Sequence, residues 1–108
     1  MDANEYQVLA MRTRRADQTP EQTLLNAVLG LNGEAGEVAD ILKKHLHHSQ
    51  PLDTDKLCDE LGDVLWYVAQ ASDALGICLA DIMQMNLDKL QRRYPQGFSP
   101  EASLHRQE

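Results

Sequence analysis

Two short acidic motifs share one spacing in this chain, Glu34-x-x-Glu37 and Glu60-x-x-Asp63. Each lies in a run with helical patterning, GEAGEVADILKK for the first and DELGDVLWYVAQ for the second. Residues three apart on a helix are surface neighbours, so each motif sets two carboxylates side by side. Carboxylates crowded against a dry interior repel one another and lose solvation unless a proton or a cation neutralises them. Oxygen-only ligands point to a hard cation, Mg²⁺ first and Mn²⁺ second.

A helical wheel at about 100° per residue shows which way the acids face. Ile41 falls between Glu34 and Glu37, with Leu31, Val38 and Leu42 on the adjoining side. On the second wheel Asp63 and Tyr67 share one edge, beside Leu57, Leu61, Val64 and Val68. Both motifs therefore border apolar sectors. One such acid pair alone is an ordinary feature of a solvated helix face. Two pairs that both abut apolar stripes make a metal site the reading to test.

The elements that must hold these motifs are all helical. A first short helix spans Asn4 to Arg15, with Tyr6, Leu9 and Ala10 as its apolar side. Its cluster Arg12, Arg14 and Arg15 reads as a solvated helix end, with a phosphate contact as the alternative. Thr19-Pro20-Glu21-Gln22 is a helix start with a capping box and proline at the first position. The apolar stripe Leu24, Val28, Leu31, Ala35, Val38 and Leu42 carries that helix to about Leu46. Gly30, Gly33 and Gly36 interrupt it, and small residues one turn apart let another helix approach closely. Lys43, Lys44, His45, His47 and His48 at its end suit the helix dipole.

Asp53 or Thr54 caps the next helix, which runs to roughly Leu75, with Gly76 as its stop signal. Trp66 lies opposite that helix's apolar stripe. With few helices available to cover it, a partner subunit is the economical explanation. Trp66 and Tyr67 read as packing groups, with contact to a nucleobase as the functional alternative. The last helix runs from Leu79 to Arg93 and aligns Asn86, Lys89 and Arg93 on one line, beside Leu79, Ile82, Met83 and Leu90. Those donors either snorkel at the edge of a packed face or face the acids across a cleft. No strand alternation or internal repeat is visible, so the fold class is all-α, a four-helix bundle-like arrangement.

At 108 residues the chain makes one domain, over residues 1–98, with a polar tail at 99–108. The net charge of −7 argues against binding a nucleic-acid polymer, while a metal can still bring phosphates to acidic residues. Cys58 and Cys78 have neither metal-ligand spacing nor a disulfide framework, as expected of a cytoplasmic protein. No membrane-spanning run is present in the sequence.

Three ordered blocks, GEAGEVADILKK, DELGDVLWY and NLDKLQRRYPQGF, resemble the MazG-like superfamily of all-α nucleoside triphosphate pyrophosphohydrolases. The resemblance covers roughly Leu24 to Phe98. It implies that Glu34, Glu37, Glu60 and Asp63 bind Mg²⁺, with Glu34 or Glu37 also serving as general base. It implies that Asn86 and Lys89 contact substrate phosphates, with Arg93 and Tyr94 as basic and aromatic neighbours. Many members carry a glutamate doublet where this chain has Gly33, one acid fewer for the metals.

The expected activity is hydrolysis of a ribo- or deoxyribonucleoside triphosphate to monophosphate and pyrophosphate, as in removal of non-canonical nucleotides. The expected assembly is a homodimer or homotetramer. A phosphoribosyl-ATP-type pyrophosphohydrolase, or a non-catalytic helical oligomer that binds a nucleotide or protein, are the alternatives. Intact acids in both motifs favour an enzyme.

Overall fold

A computed structural model describes residues 1–105, and these are helical through most of their length with no β-strand among them. The all-α expectation holds, with one short helix followed by three longer ones: α1 (Ala3–Ala10), α2 (Pro20–His47), α3 (Thr54–Ala74) and α4 (Leu79–Arg93). A five-residue helix, α5 (Pro100–Leu104), follows where a tail was expected. Ser99 accounts for it, since its hydroxyl accepts from the Ala102 amide at 3.0 Å and proline occupies the first turn. Residues 106–108 of that stretch lie outside the described residues.

Local chemistry sets the helix starts. Thr19 Oγ1 accepts from the Gln22 amide at 3.2 Å, and the Gln22 carboxamide accepts from the Thr19 amide at 3.0 Å. That is the capping box read from the sequence. Asp53 Oδ1 accepts from the Lys56 amide at 3.0 Å to open α3. Past its other end, Gly76 takes a φ of +69°, a left-handed conformation that favours glycine. Helix α4 has no side-chain cap of its own at Cys78. Helix α1 supplies one instead: Gln7 Oε1 accepts from the Leu79 amide at 2.7 Å, and Asn4 Oδ1 from the Ala80 amide at 3.2 Å. Gln7 also donates to the Ile77 carbonyl at 3.1 Å, which explains how a glutamine can be buried there.

Helices α2 and α3 form an antiparallel hairpin that carries most of the packing, with α1 and α4 seated against α3 and against each other. Asn26 meets Gln70 at 3.2 Å, and the Tyr67 ring fills the space in which a side chain at Gly30 would stand. Of the three glycines expected to admit a neighbouring helix, only Gly30 does so. Gly33 and Gly36 face open space, because only Gly30 points at α3.

Two further expectations change. The first helix was expected to reach Arg15 but ends at Ala10, followed by a 3₁₀ turn at Met11–Thr13. The Ala10 carbonyl is taken by the Thr13 hydroxyl at 2.7 Å and by the Trp66 indole N–H at 3.1 Å. The same indole N–H lies 2.9 Å from Thr13 Oγ1. Trp66 is thus engaged by the chain's own N-terminal segment, so it gives no reason to invoke a partner subunit.

Little apolar surface is removed from water. Among the described residues the buried apolar side chains are Ala27, Ile41, Ala69 and Leu79, while Leu61, Leu65, Met83 and Leu87 are all more than 45% exposed. The accessible surface is 8017 Å², against about 6,000 Å² for a compact monomer of this mass. The radius of gyration is 16.9 Å, against about 13 Å for a compact chain of this length. No helix among the described residues is long and apolar enough to cross a membrane.

Candidate metal centre

The α2–α3 hairpin brings three of the four acids together. Carboxylate oxygens of Glu34, Glu60 and Asp63 all lie within 4.8 Å of one another. Glu34 and Glu60 are half-buried and Asp63 is exposed. One oxygen of Glu34, Oε2, is buried without a hydrogen-bond partner. A buried acceptor left in that state is costly, and a cation or a proton would satisfy it. The donor set is all oxygen and all anionic, which fits a hard divalent ion.

The electrostatics agree with that geometry. The Glu34 carboxyl is pushed up to about 7, first by its hydrogen bond with Glu60, then by burial, then by the charges of Glu60, Asp63 and Glu37. Partial loss of solvent around the exposed Asp63 raises its carboxyl as well, with the charges of Asp59 and Glu60 adding to it. Like charges this close cannot all ionise cheaply, so either a proton or a cation lowers the energy of the cluster.

Glu37, the fourth acid, is exposed and stands outside the three-acid cluster. It acts on Glu34 through its charge. Thr13, Glu34, Asp63, Trp66 and Tyr67 line one pocket of about 430 Å³. Trp66 and Tyr67 meet edge to face there, with ring centroids 5.0 Å apart. Tyr67 therefore both packs on Gly30 and shapes the site.

The expected phosphate contacts sit elsewhere in the chain. Asn86 and Lys89 line a groove on α4 together with Ile82, Met85, Asp88 and Arg92, and none of these residues belongs to the acid pocket. Arg93 is half-buried, and Tyr94 packs against Phe98 with ring centroids 5.3 Å apart. Within one chain Asn86 and Lys89 therefore do not share a pocket with the acids.

Thr13 enters the site, and Tyr6 feels its charge, without a signal in the sequence. Thr13 reaches the pocket wall because Trp66 holds the 3₁₀ turn against α3. Tyr6, on α1, is buried enough to raise its phenol, and the charge of Asp63 raises it further. Thr13 lies 53 residues from the Trp66 indole that it meets, beyond the reach of any local pattern.

Comparison with known proteins bears on the same stretch. The sequence profile of the MazG nucleotide pyrophosphohydrolase domain matches residues 22–98, which hold all four acids and the α4 row. The chain is 39% identical over 105 residues to the Gene 37 protein of Mycobacterium phage L5, covering 90% of this chain and 92% of that relative. No solved structure matches the chain.

Proposed function

The chain belongs to the MazG nucleotide pyrophosphohydrolase family, and from that premise we propose that it hydrolyses a nucleoside triphosphate to monophosphate and pyrophosphate with a divalent cation. The observation that carries the proposal is the meeting of Glu34, Glu60 and Asp63 from two helices, with Glu34 Oε2 buried and unpartnered. These three carboxylates would hold Mg²⁺, with Mn²⁺ as a substitute. When bound, such an ion neutralises phosphate charge and acidifies a water.

The chain's own groups do the rest. Glu37 stays outside the cluster and one helical turn from Glu34, where its carboxylate can accept the proton of the attacking water. Water adds to the α-phosphorus, the bond from that phosphorus to the α,β-bridging oxygen breaks, and pyrophosphate leaves with the electron pair. Trp66, Tyr67 and Thr13 wall the pocket and limit the water that reaches it.

A second copy of the chain belongs to the same reading. The excess accessible surface and the exposed Leu61, Leu65, Met83 and Leu87 support a homodimer or homotetramer. In that assembly Asn86, Lys89 and Arg93, with Tyr94 beside them, would contact the phosphates bound at a neighbouring copy's acids. Assay of a nucleotide panel with and without Mg²⁺ tests the whole reading. Turnover should vanish in a chelator and in Glu60→Gln, and turnover that survives both would overturn it.

A further inference from the structure

The acid pocket takes one of its lining residues, Thr13, from the N-terminal segment. The Thr13 hydroxyl donates its single proton to the Ala10 carbonyl at 2.7 Å. It accepts from the Trp66 indole N–H at 2.9 Å. A hydroxyl has one proton and two lone pairs, so one lone pair is left to accept. Arg14, the next residue, pairs with Asp73 of α3 at 3.6 Å, so the turn is tied to α3 at two points.

Resting on the divalent-ion reading above, we propose that Thr13 is a positioning residue of the metal centre. Its hydroxyl accepts a hydrogen bond from a water in the ion's coordination shell and so ties the ion to the N-terminal segment.

Valence supports the assignment. Glu34 and Asp63 line the same pocket and, when ionised, only accept. Thr13 has no proton to offer them, because the Ala10 carbonyl holds it. Acceptors that share a pocket are joined by a donor between them, and a water has two protons to give. A small ion such as Mg²⁺ keeps several waters when carboxylates bind it, and its charge makes those waters strong donors. Protein groups that hold the outer side of such a shell fix the ion's place and tune its affinity. A phosphate oxygen does not suit the free lone pair, since it also accepts. Thr13 precedes residue 22, where the family profile begins to match, so the resemblance assigns it no role.

Thr13→Val isolates the hydroxyl. Valine has nearly the shape of threonine, and the substitution orphans neither partner, because the Trp66 N–H keeps the Ala10 carbonyl at 3.1 Å. The experiment measures Mn²⁺ binding to the full-length protein without nucleotide, from the EPR signal of the free ion. Thr13→Val should bind on the order of tenfold more weakly, the scale of loss when an outer partner of a metal site is removed. Thr13→Ser, which keeps the hydroxyl, should recover most of that affinity. Amide exchange at residues 10–14, followed by mass spectrometry, should be the same in the metal-free unmodified chain and in Thr13→Val. Saturating Mn²⁺ should slow it in the unmodified chain alone.

Equal Mn²⁺ affinity in the unmodified chain and Thr13→Val would overturn the proposal. If nucleotide binding alone then weakened, the hydroxyl would belong to a sugar contact instead. A loss that serine does not recover, or faster metal-free exchange at residues 10–14 in Thr13→Val, would overturn it by tracing the effect to the turn itself. Failure of the divalent-ion reading looks different, because the unmodified chain would then bind no Mn²⁺ and both readings would fall together.

Discussion

The Tyr67 ring lies directly against the backbone of Gly30, so that the pairing of α2 with α3 has no room for a side chain at that one position. Gly33, three residues on, has nothing within 4 Å of where its side chain would be. The two glycines lie in the same helix and should respond oppositely to alanine. Gly33→Ala should stabilise the fold by roughly 0.5–1 kcal/mol, the ordinary gain in helix propensity. Gly30→Ala has the same gain but displaces Tyr67, at a cost of about 1–3 kcal/mol, and should lower both stability and activity. Urea denaturation of the two variants decides this, and equal shifts in the same direction would contradict it.

The indole of Trp66 fastens the N-terminal segment over the acid pocket. Trp66→Phe keeps an aromatic ring, though a smaller one, and removes the donor to the Ala10 carbonyl and Thr13 Oγ1. Stability should fall by about 1 kcal/mol. Amide exchange should speed up at residues 10–14 more than in the α2–α3 hairpin. Uniform acceleration across the chain would mean that the turn is not a separately held element.

The acids make the metal-free fold sensitive to pH in a defined direction. Glu34 titrates at about 7 in the folded chain, against 4.5 ordinarily. Between those values the folded state keeps a proton that the unfolded state has released. The stabilisation is complete below about 4.5 and is lost as pH rises through about 7. Asp63 is shifted in the same direction. Melting temperature without divalent ions should therefore fall from pH 5 to pH 8, and saturating Mg²⁺ should restore it most at the upper end. Binding of Mg²⁺ should tighten with pH and release protons below pH 7. Glu34→Gln should flatten both dependences, and an unchanged pH profile in that variant would place the titration elsewhere.

Association should be visible directly. Light scattering at micromolar concentration should give at least twice the 12.1 kDa chain mass. Leu87→Asp, placed on an exposed apolar side chain of α4, should shift the protein toward monomer and reduce turnover, while Mg²⁺ binding at the acids persists. A monodisperse monomer would contradict the assembly proposed here.

Much of the frame was legible in the sequence, because helix signals are local. The Thr19–Gln22 capping box, the Gly76 stop and the α4 bounds Leu79–Arg93 all appear in the structure where the residues placed them. The wheels set all four acids beside apolar sectors, but they could not show that Glu34, Glu60 and Asp63 come together while Glu37 stands apart. What was not legible depends on which distant segments touch. A wheel shows that Trp66 is apolar on an odd side but cannot say that Thr13 will cover it. Nor does the spacing of three glycines reveal that only Gly30 points at the neighbouring helix. The capping of α4 by Gln7 and Asn4 joins residues more than seventy positions apart, and no local rule anticipates it.

The central claim is that water attacks the α-phosphorus of a nucleoside triphosphate at the Glu34–Glu60–Asp63 cluster. Phosphorus NMR of the products formed with Mg²⁺ in ¹⁸O-enriched water tests it most directly. The expected products are nucleoside monophosphate and intact pyrophosphate, with the label carried by the monophosphate. Orthophosphate with nucleoside diphosphate, or label in the pyrophosphate, would contradict it.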